Sequence, residues 1–343
     1  MALFGAPPCD GVAPAQEEHV IQASRRTFLV SALAAMLPAA RASGQGATGL
    51  IRFGVTVADN VVYAPVFAAA ELGFFEAAGV KANFVPLRGA AAGEEALAAG
   101  HVDLIDHVIA YTSRAVASGV DARVIATASN GFLGWSVIVR ADSPAASLRD
   151  LVGKRVGIGP RLSVSEMAAQ RVADQLSARF DLAHLSPGLM MPALRSGEVD
   201  AVLFSAAVAQ REVVAGNART LHDLTDPADR TALYGYTASA EAMERRRGDL
   251  RRFMSAVLRA TAHMQREEAW SLRFLKEYVK IPDDRLARIL HDRVIAHLST
   301  DGETEPDAVE RAVALAARAW NAPAMVETPV SAMFTNAFLR EGA

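Results

Sequence analysis

The stretch ALAAGHVDLI at residues 96–105 has a near copy, ALRSGEVDAV, at residues 193–202. In each copy a helix-like run of small residues ends at a glycine, Gly100 or Gly197, which adopts the left-handed conformation that terminates helices cheaply. A Val-Asp pair and an apolar run follow, as at the start of a buried strand. The copies lie 97 residues apart, beyond the roughly 20–50 residues of a solenoid repeat. The pattern therefore predicts two similar α/β lobes. The alternative is that this pattern simply occurs often where a helix is followed by a strand.

The residues around each copy alternate between strand and helix patterns. Around the first copy, strands are predicted at 51–57, 80–87, 104–107, 124–126 and 135–139, and the first helix begins at Pro65. This βαβαβ order is typical of a mostly parallel sheet covered on both faces. Around the second copy, Ser163 and Glu166 match a capping box at the start of a helix. The segment 180–190 is short for a passage from helix to strand to helix, so a strand there is predicted to be shortened or lost.

The order of these elements predicts a plan in which the second lobe interrupts the first. Lobe one covers 50–140, lobe two covers 141–233, and 234–343 returns to lobe one with a strand at Tyr234–Ser239 and helices interrupted near Pro282, Pro306 and Pro329. Two crossing strands then form a hinge, and the late helices pack on lobe one.

The first 42 residues carry the pattern of an export signal. Arg25-Arg26 precedes an apolar run to Leu37, and Ala40-Arg41-Ala42 is a small-x-small cleavage pattern. The run is shorter than the ~20 residues that span a bilayer, and the arginine pair resembles the bacterial twin-arginine signal. A short membrane anchor or an ordinary secretory signal is the alternative. We predict a signal peptide at 1–42, a linker at 43–49 and a periplasmic protein.

Composition excludes several classes of partner and chemistry. The 343-residue chain has a formal net charge of −3 and a single cysteine, Cys9. The charge does not favour a nucleic-acid partner, and cleavage after residue 42 leaves no thiol for a disulfide or for catalysis. The predicted mature protein is a monomer without cofactor.

Four segments together resemble the periplasmic solute-binding proteins of ABC importers, of the nitrate/sulfonate/taurine and thiamine-pyrimidine-precursor type. They are Tyr63–Phe75, Ala96–Asp103, Leu148–Gly157 and Gly197–Ala201. The resemblance implies an α/β, two-lobe periplasmic binding protein fold (type II-like), with a hinge of two crossing strands and C-terminal helices on lobe one. It also implies that the cleft binds a small solute and that a permease in the inner membrane receives it. Sulfonate binders often carry a Trp soon after the second Val-Asp, where this chain has Val202–Phe204, which weakens a sulfonate assignment.

Candidate ligand contacts follow from a rule for open α/β sheets, in which ligands lie beyond the carboxyl ends of the strands. Helix N-termini near Ala90 and Ser163 suit an anion or a carbonyl, and Trp135 or Tyr63 suits a planar or cationic group. The rule selects Asp59, Asn60, Tyr63, Gly89, Ala90, Asp106, His107, Asn130, Trp135, Arg161, Ser163, Ser165, Phe204 and Ser205.

Several of these residues also have a purely structural interpretation. Ser163 is equally expected as a helix cap, and Trp135 as core. Asp103 and Asp200 are expected to hold loop backbone groups. His101, Asp103, Asp106 and His107 resemble a metal cluster, but strand alternation points Asp103 and Asp106 to opposite faces, so no metal is predicted. The arginines at 245–252 are diluted by acids and indicate a solvated face or, alternatively, a partner surface.

The function predicted from these features is solute binding by hinge closure without catalysis. The alternative is an enzyme of the same fold related to thiamine-pyrimidine synthesis, but the cysteine-rich motif of those enzymes is missing and no G-x-S-x-G elbow is present. Asp59 and Asp106 favour an amine or heterocycle over nitrate. Arg161 and the helix N-termini favour a sulfonate or carboxylate, so the solute stays open.

Overall fold

The computed structural model of the chain describes residues 49–57, 60–280 and 282–339. The strands within these ranges are β1 (Leu50–Val55), β2 (Lys81–Pro86), β3 (Leu104–Val108), β4 (Ala122–Asn130), β5 (Ser136–Arg140), β6 (Arg155–Ile158), β7 (Asp181–His184), β8 (Ala201–Phe204), β9 (Ala218–Asp223) and β10 (Ala232–Ser239). The helices are α1 (Ala64–Glu71), α2 (Phe74–Ala77), α3 (Ala90–Ala98), α4 (Ile109–Ala117), α5 (Val164–Leu176), α6 (Pro187–Ser196), α7 (Ala206–Val214), α8 (Ala240–Arg245), α9 (Arg247–Arg266), α10 (Glu268–Tyr278), α11 (Asp284–Arg293) and α12 (Pro306–Ala319). The predicted signal peptide lies outside the described residues.

The strands form two five-stranded sheets with the same topology. The first sheet has the order β2-β1-β3-β10-β4 and the second has the order β7-β6-β8-β5-β9. In each sheet the first three strands are parallel and the fourth strand is antiparallel to the third. The chain enters that fourth strand, β10 or β5, directly after it leaves the other sheet. The predicted α/β fold of two similar sheets is confirmed. One strand differs, because β5 lies in the second sheet and not at the end of the first lobe as predicted.

The chain crosses between the sheets twice, at residues 131–135 and 224–231. These segments are irregular and not the predicted strands, yet they are hydrogen-bonded to each other. The Gly131 N–H donates to the Thr231 carbonyl at 2.7 Å, and the Leu224 N–H donates to the Trp135 carbonyl at 2.8 Å. The two crossings thus run side by side as one narrow connection.

The repeated sequence forms the same turn in both sheets. Gly100 and Gly197 have φ angles of 68° and 78°, the left-handed values predicted for helix termination. The Asp103 carboxylate accepts the Arg52 N–H at 2.8 Å, and the Asp200 carboxylate accepts the Arg155 N–H at 3.0 Å. The prediction that both aspartates hold backbone groups is confirmed.

The second sheet decides two local predictions. The strand expected to be shortened or lost in the segment 180–190 is present and short, since β7 has four residues. Ser163 occupies the N-cap position of α5, but its hydroxyl makes no capping hydrogen bond and is bonded to the Ser165 hydroxyl at 2.8 Å. Glu166 instead accepts the N–H of Leu162, whose φ of 60° turns the backbone toward it. A capping box does form earlier in the chain, between Ser147 and Asp150.

The C-terminal helices contact elements beside both sheets. As predicted, α9 packs on the first-sheet elements α1 and β1, where Phe253 stacks on Phe53 and Phe75 at centroid distances of 5.7 and 4.6 Å. In addition, α12 packs against both α4 and α5, and α11 packs against α7. Within the described ranges, no helix has the length and apolar character needed to cross a membrane.

Candidate functional site

A cavity of about 370 Å³ is lined by residues at the strand ends of both sheets. On the first sheet, its wall begins where β1 and β3 end, at Thr56 and His107. On the second sheet, it begins where β6 and β8 end, at Gly159 and Phe204. This is the position at which open α/β sheets bind ligands, and the size lies within the range of small-molecule sites.

Most of the residues selected from the sequence lie on this wall. The members that line the cavity are Asn60, Tyr63, Ala90, His107, Trp135, Ser163, Ser165, Phe204 and Ser205. Their role as ligand contacts stays a prediction.

The remaining selected residues do not line the cavity in the structure. Gly89 is the N-cap of α3, next to the wall residue Ala90. Asn130 lines a separate, polar cavity of about 350 Å³ beside the crossings. Arg161 is exposed, between the wall residues Pro160 and Ser163. Asp59 lies outside the described residues.

Asp106 is fully buried behind the wall and not on it. Its carboxylate accepts the Thr56 N–H at 2.6 Å and lies 3.5 Å from the Val57 nitrogen. Burial raises the pKa of Asp106 to about 7, although the hydrogen bonds from Thr56 and Val57 oppose the shift. Thr56 and Val57 both line the cavity, so Asp106 holds a part of the wall and does not itself line the cavity.

His107 is also held by the protein. Its Nδ1 is 2.9 Å from the Thr112 hydroxyl, and its Nε2 is 3.4 Å from the Glu94 carboxylate. Burial lowers the pKa of His107, a shift that Glu94 opposes and Arg114 reinforces. His107 lines the cavity, and its buried Nε2 has no hydrogen-bond partner within the described part of the chain.

Aromatic side chains form much of the wall. Trp135 lies 5.7 Å from Phe204, and Tyr63 packs edge-on against Tyr234 at 5.9 Å. Tyr111 and Tyr234 also line the cavity, although the strand-end rule does not select them. Tyr111 lies in the first turn of α4 beyond the end of β3. Tyr234 lies near the start of β10, which reaches the same edge because it is antiparallel to β3, with Tyr234 paired to Val108. A rule restricted to carboxyl ends cannot find such a residue.

Polar groups on the wall come mostly from helix N-termini. Val108, Ser163 and Ser205 are the N-caps of α4, α5 and α7, and all three line the cavity. The Ser165 hydroxyl accepts the Gly159 N–H at 2.7 Å. Among the described lining residues there is no Lys, Arg, Asp or Glu. Backbone N–H groups, hydroxyls, the Asn60 amide and the His107 imidazole are thus the polar groups of the described lining residues.

The described residues contain no group of three or more His, Cys, Asp or Glu placed to hold a metal ion. Three of the four residues suspected of forming one have separate partners. Asp103 binds Arg52, Asp106 binds the Thr56 backbone, and His107 binds Thr112.

Comparison with known proteins places this fold in a family. A family model described as NMT1/THI5 like matches residues 60–268. The chain belongs to the NMT1/THI5-like family. The resemblance predicted from the four sequence segments is thereby confirmed. No curated protein sequence matches the chain.

Solved structures with the same fold include binding proteins and one mutant complex. This NMT1/THI5-like chain is 19% identical to the periplasmic aliphatic sulphonate binding protein SsuA from Escherichia coli, with a TM-score of 0.68 over 85% of this chain and 99% of that one. For the alkanesulfonate-binding protein SsuA from Xanthomonas axonopodis pv. citri, bound to MOPS, the identity is 18% and the TM-score 0.66 over 83% and 98% of the two chains.

A cysteine-to-serine mutant of DSZB in complex with biphenyl-2-sulfinic acid is 15% identical, with a TM-score of 0.60 over 84% of this chain and 97% of that one. At such identities these likenesses concern the fold alone, since one fold hosts many functions.

Proposed function

We propose that the protein is the substrate-binding component of an ABC importer and captures a small organic solute in the cavity between the two sheets. The observation that carries this proposal is the cavity itself, which both sheets line at their strand ends. Membership of the NMT1/THI5-like family supports it, as does the fold shared with the SsuA proteins. The protein binds its solute without chemical conversion.

The capture mechanism is closure about the paired crossings. A solute that contacts both sheets favours the closed arrangement, because only that arrangement offers all of its contacts at once. In the arrangement that the structure describes, side chains from the C-terminal region contact α5, which packs against β6 and β8 of the second sheet. The Trp320 indole N–H donates to the Ser163 carbonyl at 3.2 Å, and Arg318 forms an ion pair with Asp174 at 3.1 Å.

The closed form then delivers the solute to a permease in the inner membrane. The protein acts in the periplasm as a monomer, after export by a twin-arginine-type signal at residues 1–42. The arginine pair, apolar run and cleavage pattern of that segment support this route.

The polar head of the solute meets N–H groups at the N-termini of α4, α5 and α7. Three such N-caps line the cavity, and helix N-termini favour negative charge or a carbonyl oxygen. The preference for an amine rested on the carboxylates of Asp59 and Asp106 together. Because Asp106 is buried, its carboxylate does not support an amine as the ligand. A sulfonate, a carboxylate or a neutral heterocycle is therefore the proposed head.

Calorimetry combined with solution scattering tests the proposal. The purified protein is titrated with nitrate, taurine, alkyl and aromatic sulfonates, carboxylates and thiamine pyrimidine precursors. A solute at a hundred times its dissociation constant stabilises the fold by about 2.7 kcal/mol, which also gives a clear thermal shift. We expect a hit that reduces the radius of gyration. A bound solute with no change in that radius contradicts hinge closure, and turnover of the solute contradicts a purely binding role.

A further inference from the structure

We infer that the solute is an aromatic compound, whose ring is held between aromatic side chains from the two sheets; this rests on the proposed binding function. Three observations carry it: which residues form the wall, where their polar atoms point, and how much space they enclose.

The aromatic residues of the wall come from both sides of the cavity. Tyr63, Tyr111 and Tyr234 belong to first-sheet elements, while Phe204 ends β8 of the second sheet and Trp135 ends the first crossing. A planar ring between them is contacted from both sides. Aromatic pairs in offset or edge-on geometry gain attraction beyond that of the buried area.

The polar atoms of these aromatic residues are occupied within the protein. The Tyr63 hydroxyl donates to the His107 carbonyl at 2.7 Å and lies 3.2 Å from the Gly235 carbonyl. The Trp135 indole N–H donates to the Tyr234 hydroxyl at 3.3 Å. Because these groups are satisfied internally, Tyr63 and Trp135 present ring surfaces to the cavity and not hydrogen-bonding groups.

The ring of Tyr111 is held in place from behind. Trp320 stacks on it at a centroid distance of 5.2 Å and an interplanar angle of 18°. Trp320 also bonds to the start of α5 through the Ser163 carbonyl. In the arrangement that the structure describes, this indole contacts both a first-sheet ring and a second-sheet helix and so sets the spacing of the two walls. Once the two sheets have closed, that spacing favours a flat guest of constant thickness.

The enclosed volume suits a substituted ring. A dry cavity of about 150 Å³ is sufficient for benzene in the well-studied engineered case. The cavity here, at about 370 Å³, is more than twice that size. It therefore has room for one ring with substituents or for two fused rings, and is larger than a small inorganic anion requires.

Pairs of solutes that differ only in ring saturation test the inference. The probes are benzenesulfonate with cyclohexanesulfonate, benzoate with cyclohexanecarboxylate, and benzylamine with cyclohexylmethylamine, each titrated calorimetrically. Because three head groups are used, the result does not depend on the charge of the head. We expect the aromatic member to bind about tenfold more tightly in each class that binds.

The possible outcomes separate this inference from the proposed function. Equal or tighter binding of the saturated member overturns the aromatic inference and leaves the binding function standing. Failure of all six probes, together with failure of the wider solute panel, counts against both.

A matched pair of variants supplies the second test. Phe204→Leu removes one ring from the wall, and we expect the aromatic preference to fall at least about threefold while the saturated probes keep their affinity. Phe180→Leu is the control, because Phe180 is a partly buried residue of the second-sheet region that does not line the cavity. Thermal melts of both variants report on folding. If Phe180→Leu reduces the preference as much as Phe204→Leu, the wall ring has no specific role and the inference is wrong.

Discussion

The two Gly-x-Val-Asp turns make the same backbone contact, but the strands that follow them differ. Asp103 and Asp200 each accept the backbone N–H of an arginine in a neighbouring strand, Arg52 of β1 or Arg155 of β6. Three residues farther on, the first copy has buried Asp106, and the matching position in the second copy, 97 residues later, is Leu203. One turn therefore leads into a strand with an internal carboxylate and the other into a wholly apolar one.

The difference extends to how each sheet fixes its part of the cavity wall. In the first sheet the Thr56 N–H is accepted by Asp106 at 2.6 Å. The matching amide in the second sheet, Gly159, is accepted at 2.7 Å by the hydroxyl of Ser165 on α5. The same backbone position is thus held by an ionisable group in one sheet and by a neutral one in the other. At this matched position of the cavity wall, we therefore expect a response to pH in the first sheet, through Asp106, and none from the Ser165 hydroxyl in the second.

The largest expected effect is the pH dependence that Asp106 imposes on stability. Its pKa is about 7 in the folded protein against the usual 3.8, so the folded state binds the proton more tightly than the unfolded state. The stabilisation by that proton is complete below the unfolded pKa and is lost as pH rises through 7. It amounts to about 4 kcal/mol at 1.36 kcal/mol per pKa unit.

Asp106→Asn isolates this effect, since the amide stays neutral at every pH. We expect the variant to gain about 4 kcal/mol relative to the wild type between pH 4 and 8, measured by urea unfolding. A difference that stays constant over this range would mean that Asp106 is ionised in the fold and that the contrast between the sheets is wrong.

The next largest effect is expected for Asp103→Ala. The Asp103 side chain is 4% exposed and contacts Arg52 at 2.7 Å and Arg246 at 3.4 Å, each arginine side chain being 33% exposed. Its removal leaves a buried N–H and two cations without their partner. We expect a loss of about 3 kcal/mol, reduced from the fully buried case by solvent around the arginines. Thermal and urea unfolding measure it, and a loss below about 1 kcal/mol would show that the ion pairs contribute nothing.

Gly159→Ala tests the hydrogen bond from the Gly159 N–H to the neutral Ser165 hydroxyl, which holds the cavity wall in the second sheet. An added Cβ would lie 2.9 Å from the Ser165 hydroxyl and 3.4 Å from that of Ser163, so the hydroxyl that accepts the Gly159 N–H must move. We expect a loss of about 2 kcal/mol and weaker solute binding, by unfolding and calorimetry. Gly188→Ala is the control, because nothing lies within 4 Å of its added Cβ. Equal losses in the two variants would argue against a specific role for the Ser165 contact.

The smallest effect is expected for Asp200→Ala. Asp200 is exposed and accepts the Arg155 N–H at 3.0 Å. Water replaces this bond when the side chain is removed, so we expect a loss of about 1 kcal/mol or less. A loss as large as that of Asp103→Ala would show that the shared backbone contact, and not the ion pairs of the first copy, dominates both turns.

Much of the fold was predictable because its signals are local. Helix termination at Gly100 and Gly197, the N-terminal position of Pro65 in α1 and the alternation of strands and helices each depend on residues close in sequence. The assignment of β5 was wrong for a non-local reason. An apolar strand fits either sheet, and its partners β8 and β9 lie about 60 to 90 residues later in the chain.

The site was predicted less completely than the fold. The strand-end rule found wall residues such as His107 and Phe204, because the ends of parallel strands meet at one edge. It could not tell that the Asp106 side chain turns inward to the Thr56 N–H, since the sequence does not state which backbone amide needs an acceptor. Nor could it find Tyr234, whose strand runs in the opposite direction.

By itself, the sequence determined two α/β units built on the same glycine-terminated turn, with a candidate site at their strand ends. Tertiary structure alone decided which groups line the cavity there. It buried Asp106, directed the polar atoms of Tyr63 and Trp135 into the protein, and brought Trp320 from the C-terminal region against Tyr111. The physical reason is that backbone turns are set by neighbours in sequence, whereas the burial and pairing of a side chain depend on elements that meet only in the folded chain.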